Sequence, residues 1–175
     1  MANDRLAQAE LYKHAYPQLM SICRRYAKDD LDARGLLNQG FLKILTNLDR
    51  KKADVPFIAW AKRITINTII SEFRKDKLRM EKQEQMEEQK LENHSVSWNT
   101  IGEKIEAEVL QLMLDRLPEA SRKVFNLFAS DGYSHKEISD MLGISEGTSK
   151  WHVSAARKDL QHQLEKHLSH QSVIS

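Results

Sequence analysis

The sequence predicts an all-α fold in which two small helical domains are joined by a flexible acidic linker. The chain has 175 residues with only 3 Pro and 6 Gly, and 7% of its residues are aromatic, so turn signals and β-rich runs are scarce. Apolar residues recur at helical spacing on both sides of one polar stretch. We therefore predict a first domain at residues 1–78, a linker at 79–104 and a second domain at 105–170.

Charge is distributed unevenly along the chain. The net charge is +2, but residues 1–75 hold 14 Lys and Arg against 8 Asp and Glu, residues 76–108 hold 5 against 9, and residues 109–175 hold 8 of each. The basic first block is compatible with a partner that has a phosphate backbone. The acidic stretch contains strong helix formers but too few apolar residues to bury a face, which is typical of a linker.

Several classes of protein are excluded or disfavoured by composition. No apolar run approaches the roughly 20 residues that a membrane helix needs, and the start lacks a signal-peptide pattern, so we expect a cytoplasmic protein without membrane insertion. The single cysteine, Cys23, excludes an internal disulfide and is expected to be a core helix residue. No Gly-rich phosphate loop, nucleophile elbow or HExxH motif occurs, so no catalytic residue is predicted. No ligand pattern completes a metal site around the C-terminal histidines, and no metal or cofactor is expected.

The first domain contains two helices with apolar faces. Residues 41–48 have apolar side chains at positions i, i+3, i+4 and i+7, which predicts an amphipathic helix that packs on others. After the basic turn at residues 50–52, Pro56 opens a helix with two apolar stripes, which indicates contacts from more than one side. Its polar positions either form a solvated rim or bind a polar partner. These positions are Lys62, Arg63, Asn67, Arg74 and Lys75.

In the second domain, local signals mark four helices. A first apolar helix stops before Pro118, which suits the first turn of the next helix. Ser134 and Glu137 have the spacing of a capping box at the start of a third helix, and Gly143 can end that helix in the left-handed conformation. Ser145 can then cap a fourth helix.

Two short helices joined by a turn that contains glycine form a helix-turn-helix, whose second helix enters a major groove of DNA. A plain helical corner is the alternative interpretation. The outward row of the fourth helix supports DNA binding, because its cations can reach phosphates or guanine edges and its Trp is too large to expose without a partner surface. The predicted contacts are Ser145, Thr148, Lys150, Trp151, Ser154 and Arg157.

The motifs carry a family resemblance. Residues 117–127, 132–148 and 156–160 look like domain four of the bacterial RNA polymerase sigma factors of the extracytoplasmic-function group. Residues 57–75 resemble the signature of sigma domain two, and residues 32–43 are similar to the family's helix that docks on the polymerase clamp. The two matches follow one another in the correct order, with the acidic linker between them.

The chain departs from the family pattern at a few positions. The family's common acidic residue falls on Gly35, its common Gln on Asn38, and the Asp often found after the Asn helix on Ser71. Ser149 stands where a small aliphatic residue is usual. The first three departures concern individual contacts, especially polar ones to polymerase, and Ser149 concerns the seating of the fourth helix.

The resemblance implies a non-catalytic specificity subunit that binds core RNA polymerase, selects a promoter and helps to open it. The fourth helix of the second domain would read the minus-thirty-five element. The helix around Asn67 and the loop at residues 50–55 would hold an unstacked base of the minus-ten element. The acidic linker would lie in the polymerase's RNA path, and an anti-sigma factor is a further expected class of partner. The residues expected to face the clamp are Asn38, Gln39, Phe41, Leu42 and Leu45.

One other function remains open at this point. A dimeric helix-turn-helix repressor or activator would use the same recognition helix, but it would bind its operator tightly without polymerase. The two possibilities differ in whether the first domain binds a protein partner.

Overall fold

Every regular element is helical in the computed structural model, which describes residues 4–80 and 107–174, with side chains for residues 4–74 and 109–169. The all-α fold predicted from the sequence is therefore confirmed. Packing divides the chain into two units, residues 1–86 and 87–175, which we call the N-terminal and C-terminal domains. The linker predicted at residues 79–104 lies almost wholly outside the described residues, so its bounds and its flexibility stay predictions. In the two described ranges, no helix is both long and apolar enough to cross a membrane.

Three helices and one short turn form the described part of the N-terminal domain, residues 4–80. Asp4 begins the first helix, because its carboxylate accepts the backbone N–H groups of Leu6 and Ala7. Asp29 begins the second in the same way, accepting the N–H of Asp32. Pro56 precedes the third helix, as predicted. The elements are α1 Arg5–Tyr26, α2 Asp30–Thr46, a 3₁₀ turn Leu48–Arg50, and α3 Phe57–Met80.

The core of this domain lies where the three helices meet. α3 packs against both α1 and α2, which confirms the two-sided contact predicted from its two apolar stripes. Cys23 is fully buried, as predicted, and this burial raises the pKa of its thiol to about 12. α2 and α3 approach closely at Gly40, where an added Cβ would lie 3.3 Å from the Oγ1 of Thr65. The largest fully buried side chains include Tyr26, Leu19, Leu37, Ile44 and Ile69.

Within residues 107–174, the C-terminal domain has four helices, and the local signals in its sequence set their ends. Ser134 and Glu137 form both hydrogen bonds of a capping box. Gly143 adopts a left-handed conformation with φ of +68°, and it ends the helix that this capping box begins without a Cβ clash. The elements are α4 Ala107–Asp115, α5 Glu119–Phe125, a π-helical turn Asn126–Ser130, α6 His135–Leu142, and α7 Glu146–Ile174.

α4 and α7 pack against each other along the core of this domain. The inward face of α7 is buried, since Val153, Ala156 and Leu160 are each no more than 3% exposed. This packing fixes which side of α7 remains available to a partner. The buried cluster comprises Met113, Leu114, Leu117, Ala156, Leu160 and Leu164.

Candidate nucleic-acid and protein interfaces

The first turn of α7 is held by two hydroxyl groups that the sequence analysis assigned to DNA contacts. The Ser145 Oγ accepts the backbone N–H of Thr148 at 2.9 Å, so Ser145 caps the helix as predicted. The two side-chain oxygens are also 2.8 Å apart. Both hydroxyls are therefore part of the local framework, and they lie at the positive end of the helix dipole, where an anion is favoured.

Beyond this turn, the outward side chains of α7 differ in exposure. Lys150 is exposed, whereas Trp151 and Ser154 are half-buried. The ring of Trp151 meets His152 edge-on at 4.8 Å, and its buried Nε1 has no hydrogen-bond partner among the described residues. Trp151 is therefore less outward than its place in the predicted row implies.

Arg157 belongs to a group of three side chains that joins the π-helical turn, α6 and α7. Its guanidinium lies 5.7 Å from the centre of the Phe128 ring, within cation–π distance. The same ring stacks on His135 at 4.5 Å with an angle of 15°. Burial, followed by the charges of Lys150 and Arg157, holds the pKa of His135 below its ordinary value. Phe128 and His135 hold the predicted contact Arg157 against the domain, and no sequence pattern marks them for this role.

Ser149 departs from the family pattern, and the structure gives its hydroxyl a partner. Ser149 is completely buried, and its Oγ lies 3.0 Å from the Nδ1 of His135. A second buried pair joins α5 to α7, with the Ser121 Oγ 3.0 Å from the Nδ1 of His152. These two pairs satisfy polar groups inside the domain and tie α5 and α6 to α7.

On α3 of the N-terminal domain, the predicted polar contacts form an exposed flank. Lys62, Arg63, Asn67 and Arg74 are all exposed. Arg63, Asn67 and Arg74 are separated by four and seven residues, a spacing that places them on one side of a helix. Lys75 lies in the same helix, but its side chain is outside the described part of the chain. The flank is basic and has an amide near its middle.

An open pocket lies beside this flank. Its volume of about 300 Å³ is at the small end of the range for ligand pockets. Two of its hydroxyl groups are already used, since Thr68 donates to the Ile64 carbonyl at 2.8 Å and Ser71 to the Asn67 carbonyl at 2.7 Å. The pocket thus combines an indole ring, two cations and the Asn67 side-chain amide. Asn67 and the loop at 50–55 are predicted to hold an unstacked base, whereas Lys43 of α2 and Trp60 are not among the predicted residues. The lining residues are Lys43, Asn47, Arg50, Trp60, Ile64, Asn67, Thr68 and Ser71.

The outer face of α2 carries the residues predicted to contact a protein. Asn38, Gln39 and Leu42 are exposed, and Leu45 is half-buried. Phe41 corrects the prediction, because it is only 8% exposed and packs edge-on against Tyr12 of α1 at 4.8 Å.

Leu31 is an exposed residue of α2 that is not among the predicted protein contacts. It is 80% exposed, and Leu42, which is 62% exposed, follows it by 11 residues. Eleven residues correspond to about three turns, so the two leucines lie on one face about 16 Å apart. We call this stripe from Leu31 to Leu42, with Asn38 between them, the α2 face.

Comparisons with known proteins fit both domains. The model of Sigma-70 region 2 matches residues 11–79, and the model of Sigma-70, region 4 matches residues 107–160. ECF RNA polymerase sigma factor SigM of Mycobacterium tuberculosis is 26% identical over 160 residues, covering 91% of this chain and 78% of SigM. The sigma factor RpoE from Bartonella quintana, solved in complex with the anti-sigma factor NepR, is 20% identical and aligns with a TM-score of 0.54 over 90% of this chain and 96% of RpoE. This structural likeness shows a shared fold.

Proposed function

The chain belongs to the sigma-70 family, in the extracytoplasmic-function group, and from this premise we propose how its side chains perform the family's task. As a sigma factor, it binds core RNA polymerase, recognises promoter DNA and promotes the initiation of transcription. The observation that carries this conclusion is the presence of both region 2 and region 4, in order, over most of the chain. The chain acts by binding and catalyses no chemical step of its own. It acts together with the polymerase in the cytoplasm.

α7 of the C-terminal domain is the proposed reader of the minus-thirty-five element. Its N-terminal half would enter the major groove, where Lys150 is exposed enough to reach a phosphate or a guanine edge. Arg157, held over Phe128, would contact the backbone with little loss of conformational freedom. The capped first turn, with Ser145 and Thr148, brings the positive end of the helix dipole towards a phosphate.

The pocket beside α3 is the proposed site for an unstacked base of the minus-ten element. Trp60 offers an aromatic face for stacking, and the Asn67 amide can both donate to and accept from the edge of a base. Capturing the base in a pocket stabilises the opened strands. The contacts that would follow the strand's backbone are Lys62, Arg63, Arg74 and Lys75.

The α2 face is the proposed contact with core polymerase. Exposed leucines at both ends of a polar stripe fit an amphipathic helix packed on a partner's helices. Asn38 and Gln39 would supply hydrogen bonds, while Phe41 supports the face from inside. We also propose an anti-sigma factor as a partner, the class of protein with which Bartonella RpoE was solved.

Transcription in vitro with core RNA polymerase and a library of genomic promoters tests this function. The chain should direct the polymerase to a limited set of promoters, and the free chain should bind the same duplex DNA weakly. A free chain that binds one operator with nanomolar affinity at physiological salt, with no effect on polymerase, would instead favour the repressor.

Asn67→Ala tests the proposed base pocket. The variant should form closed complexes nearly as well as the wild type but open the promoter more slowly, because only the unstacked base meets this amide. Permanganate footprinting measures the opening, and a template melted beforehand at the minus-ten element should restore part of the rate. Opening at the wild-type rate with unchanged sequence preference would show that Asn67 is structural.

A further inference from the structure

One lysine of the basic turn is used inside the protein. The ammonium of Lys51 donates hydrogen bonds to the carbonyl of Lys52 at 2.9 Å and to the carbonyl of Val55 at 2.7 Å. The Val55 N–H in turn donates to the Lys52 carbonyl at 3.3 Å. Lys51 is half-buried, whereas Lys52 is exposed. The ammonium therefore joins the two ends of the turn that precedes α3.

This turn connects two sides of the base pocket. Arg50, immediately before Lys51, lines the pocket, and so does Trp60 in the first turn of α3. The Trp60 N–H donates to the Pro56 carbonyl at 3.1 Å, so the start of α3 is anchored directly after Val55. The geometry of residues 51–56 thus sets how Arg50 is placed relative to Trp60.

The two bonds from Lys51 are charge-assisted and are stronger than bonds between neutral groups. They hold a short segment that has no helical hydrogen-bond ladder of its own. Without them, the segment would lose conformational freedom when a base enters the pocket, and that loss would oppose binding.

We propose that Lys51 is a positioning residue, which preorganises the loop at residues 51–55 so that Arg50 and Trp60 form the base pocket before DNA arrives. This inference rests on the proposed function of the pocket. Although Lys51 is part of a basic turn, its effect on promoter opening is exerted through the loop backbone rather than through a phosphate.

The experiment compares three variants of the full chain, each assembled with core polymerase on a promoter that the wild type opens. Lys51→Met keeps the length of the side chain but removes its donors, and Lys51→Arg keeps two donors that can reach two carbonyls. Lys52→Met removes the same charge from the neighbouring position. The opening rate is measured by permanganate reactivity across a range of salt concentrations, and the exchange of the Val55 amide hydrogen is measured by NMR in the free chain.

Lys51→Met should open the promoter at least fivefold more slowly than Lys52→Met at every salt concentration, while the two variants share the same salt dependence. Its Val55 amide should exchange faster than in the wild type, and Lys51→Arg should restore both properties. Equal opening rates and unchanged exchange in the two Met variants would overturn the inference. If Lys51→Met has a lower melting temperature than the wild type, Lys51→Gln is compared with Lys51→Arg instead. The opening rate and the exchange of the Val55 amide hydrogen then decide whether the inference holds. A wild-type chain that opens no promoter would instead refute the function proposed for the pocket.

Discussion

The two domains hold their proposed contact residues in different ways. In the N-terminal domain, Lys62 and Arg63 are exposed on the flank of a helix whose other sides form the core. In the C-terminal domain, Ser145 and Thr148 bond to each other, and Arg157 lies over Phe128. At these positions, folding and binding therefore rest on separate side chains in the N-terminal domain and on shared side chains in the C-terminal domain. Substitutions of Lys62 and Arg63 should change binding alone, whereas substitutions of Ser145, Thr148 or Arg157 should change stability as well.

The largest expected effect comes from the α2 face. Leu31→Glu combined with Leu42→Glu should weaken binding to core polymerase by at least about 100-fold, since central apolar contacts each contribute about 2 kcal/mol or more. The melting temperature should stay unchanged, because both side chains are already exposed. Titration of labelled chain with core polymerase measures the affinity. Leu6→Glu is the matched control, since Leu6 is an 81% exposed leucine on α1. A control that binds as poorly as the double variant would remove the assignment of the α2 face.

Ser145→Ala tests the shared role in the C-terminal domain. The loss of this cap should lower the free energy of unfolding of the domain by about 1 kcal/mol and should also weaken binding to the upstream element. Urea unfolding followed by the NMR signals of α7 measures the first effect. Ser154→Ala, half-buried on the same helix, should change the free energy of unfolding by less than about 0.5 kcal/mol. An unaltered stability in Ser145→Ala would mean that folding and binding are separate in this domain too.

Lys150→Ala tests a proposed DNA contact of the C-terminal domain whose side chain is exposed. If its ammonium contacts a phosphate, the variant should reduce the salt slope of DNA binding by about one without relaxing base preference. If it reads a guanine edge, it should cost about 1–3 kcal/mol at that one position. Salt titrations of the polymerase complex on upstream DNA distinguish the two. The control is Lys166→Ala, an exposed lysine about 24 Å further along the same helix. Identical slopes in both variants would exclude Lys150 from the interface.

The smallest expected effect is a dependence of stability on pH through His135. Its pKa is lowered in the folded protein, so the unfolded chain binds the extra proton more readily, and acid favours unfolding. The contribution of neutral His135 to the free energy of unfolding should be fully present above the ordinary histidine pKa of about 6.5 and should fall as the pH drops below it. Unfolding of α6 followed between pH 5 and 8 measures this fall, and His135→Gln should flatten it. His14→Gln, which alters an exposed histidine of the other domain, should leave it in place.

Signals within a few residues allowed most helix ends to be predicted from the sequence. Pro56, the capping box at Ser134 and the left-handed Gly143 act through chemistry that neighbouring residues supply. The sequence pattern does not assign α1 individually, although Asp4 caps this helix, which carries Pro17 in its interior. A proline normally interrupts a helix, so a pattern that relies on such signals does not favour one continuous helix there.

The sequence predictions that the structure corrects concern contacts between elements that are distant in the sequence. Phe41 and Leu42 are about 100° apart on α2, and the apolar stripe cannot tell which of them packs on α1. Tyr12 of α1 decides the matter by meeting Phe41. In the same way, the position of Arg157 depends on Phe128, which lies in a π-helical turn that no local motif marks. The Asn67 position was predicted, but the partners that complete its pocket come from α2 and the following turn.

The two glycines of α2 show how much sequence drift this fold can accept. At Gly35 an added Cβ would meet nothing within 4 Å, so this position is open to ordinary side chains. At Gly40 it would lie 3.3 Å from the Thr65 Oγ1, which is itself fixed by a hydrogen bond to the Ala61 carbonyl. A larger residue there would press on Thr65, so that either this side chain gives way by a few tenths of an ångström or α3 moves away from α2. Two positions only five residues apart on α2 therefore differ in their tolerance of change: Gly35 accepts a side chain freely, whereas Gly40 accepts one only at the expense of the contact between α2 and α3.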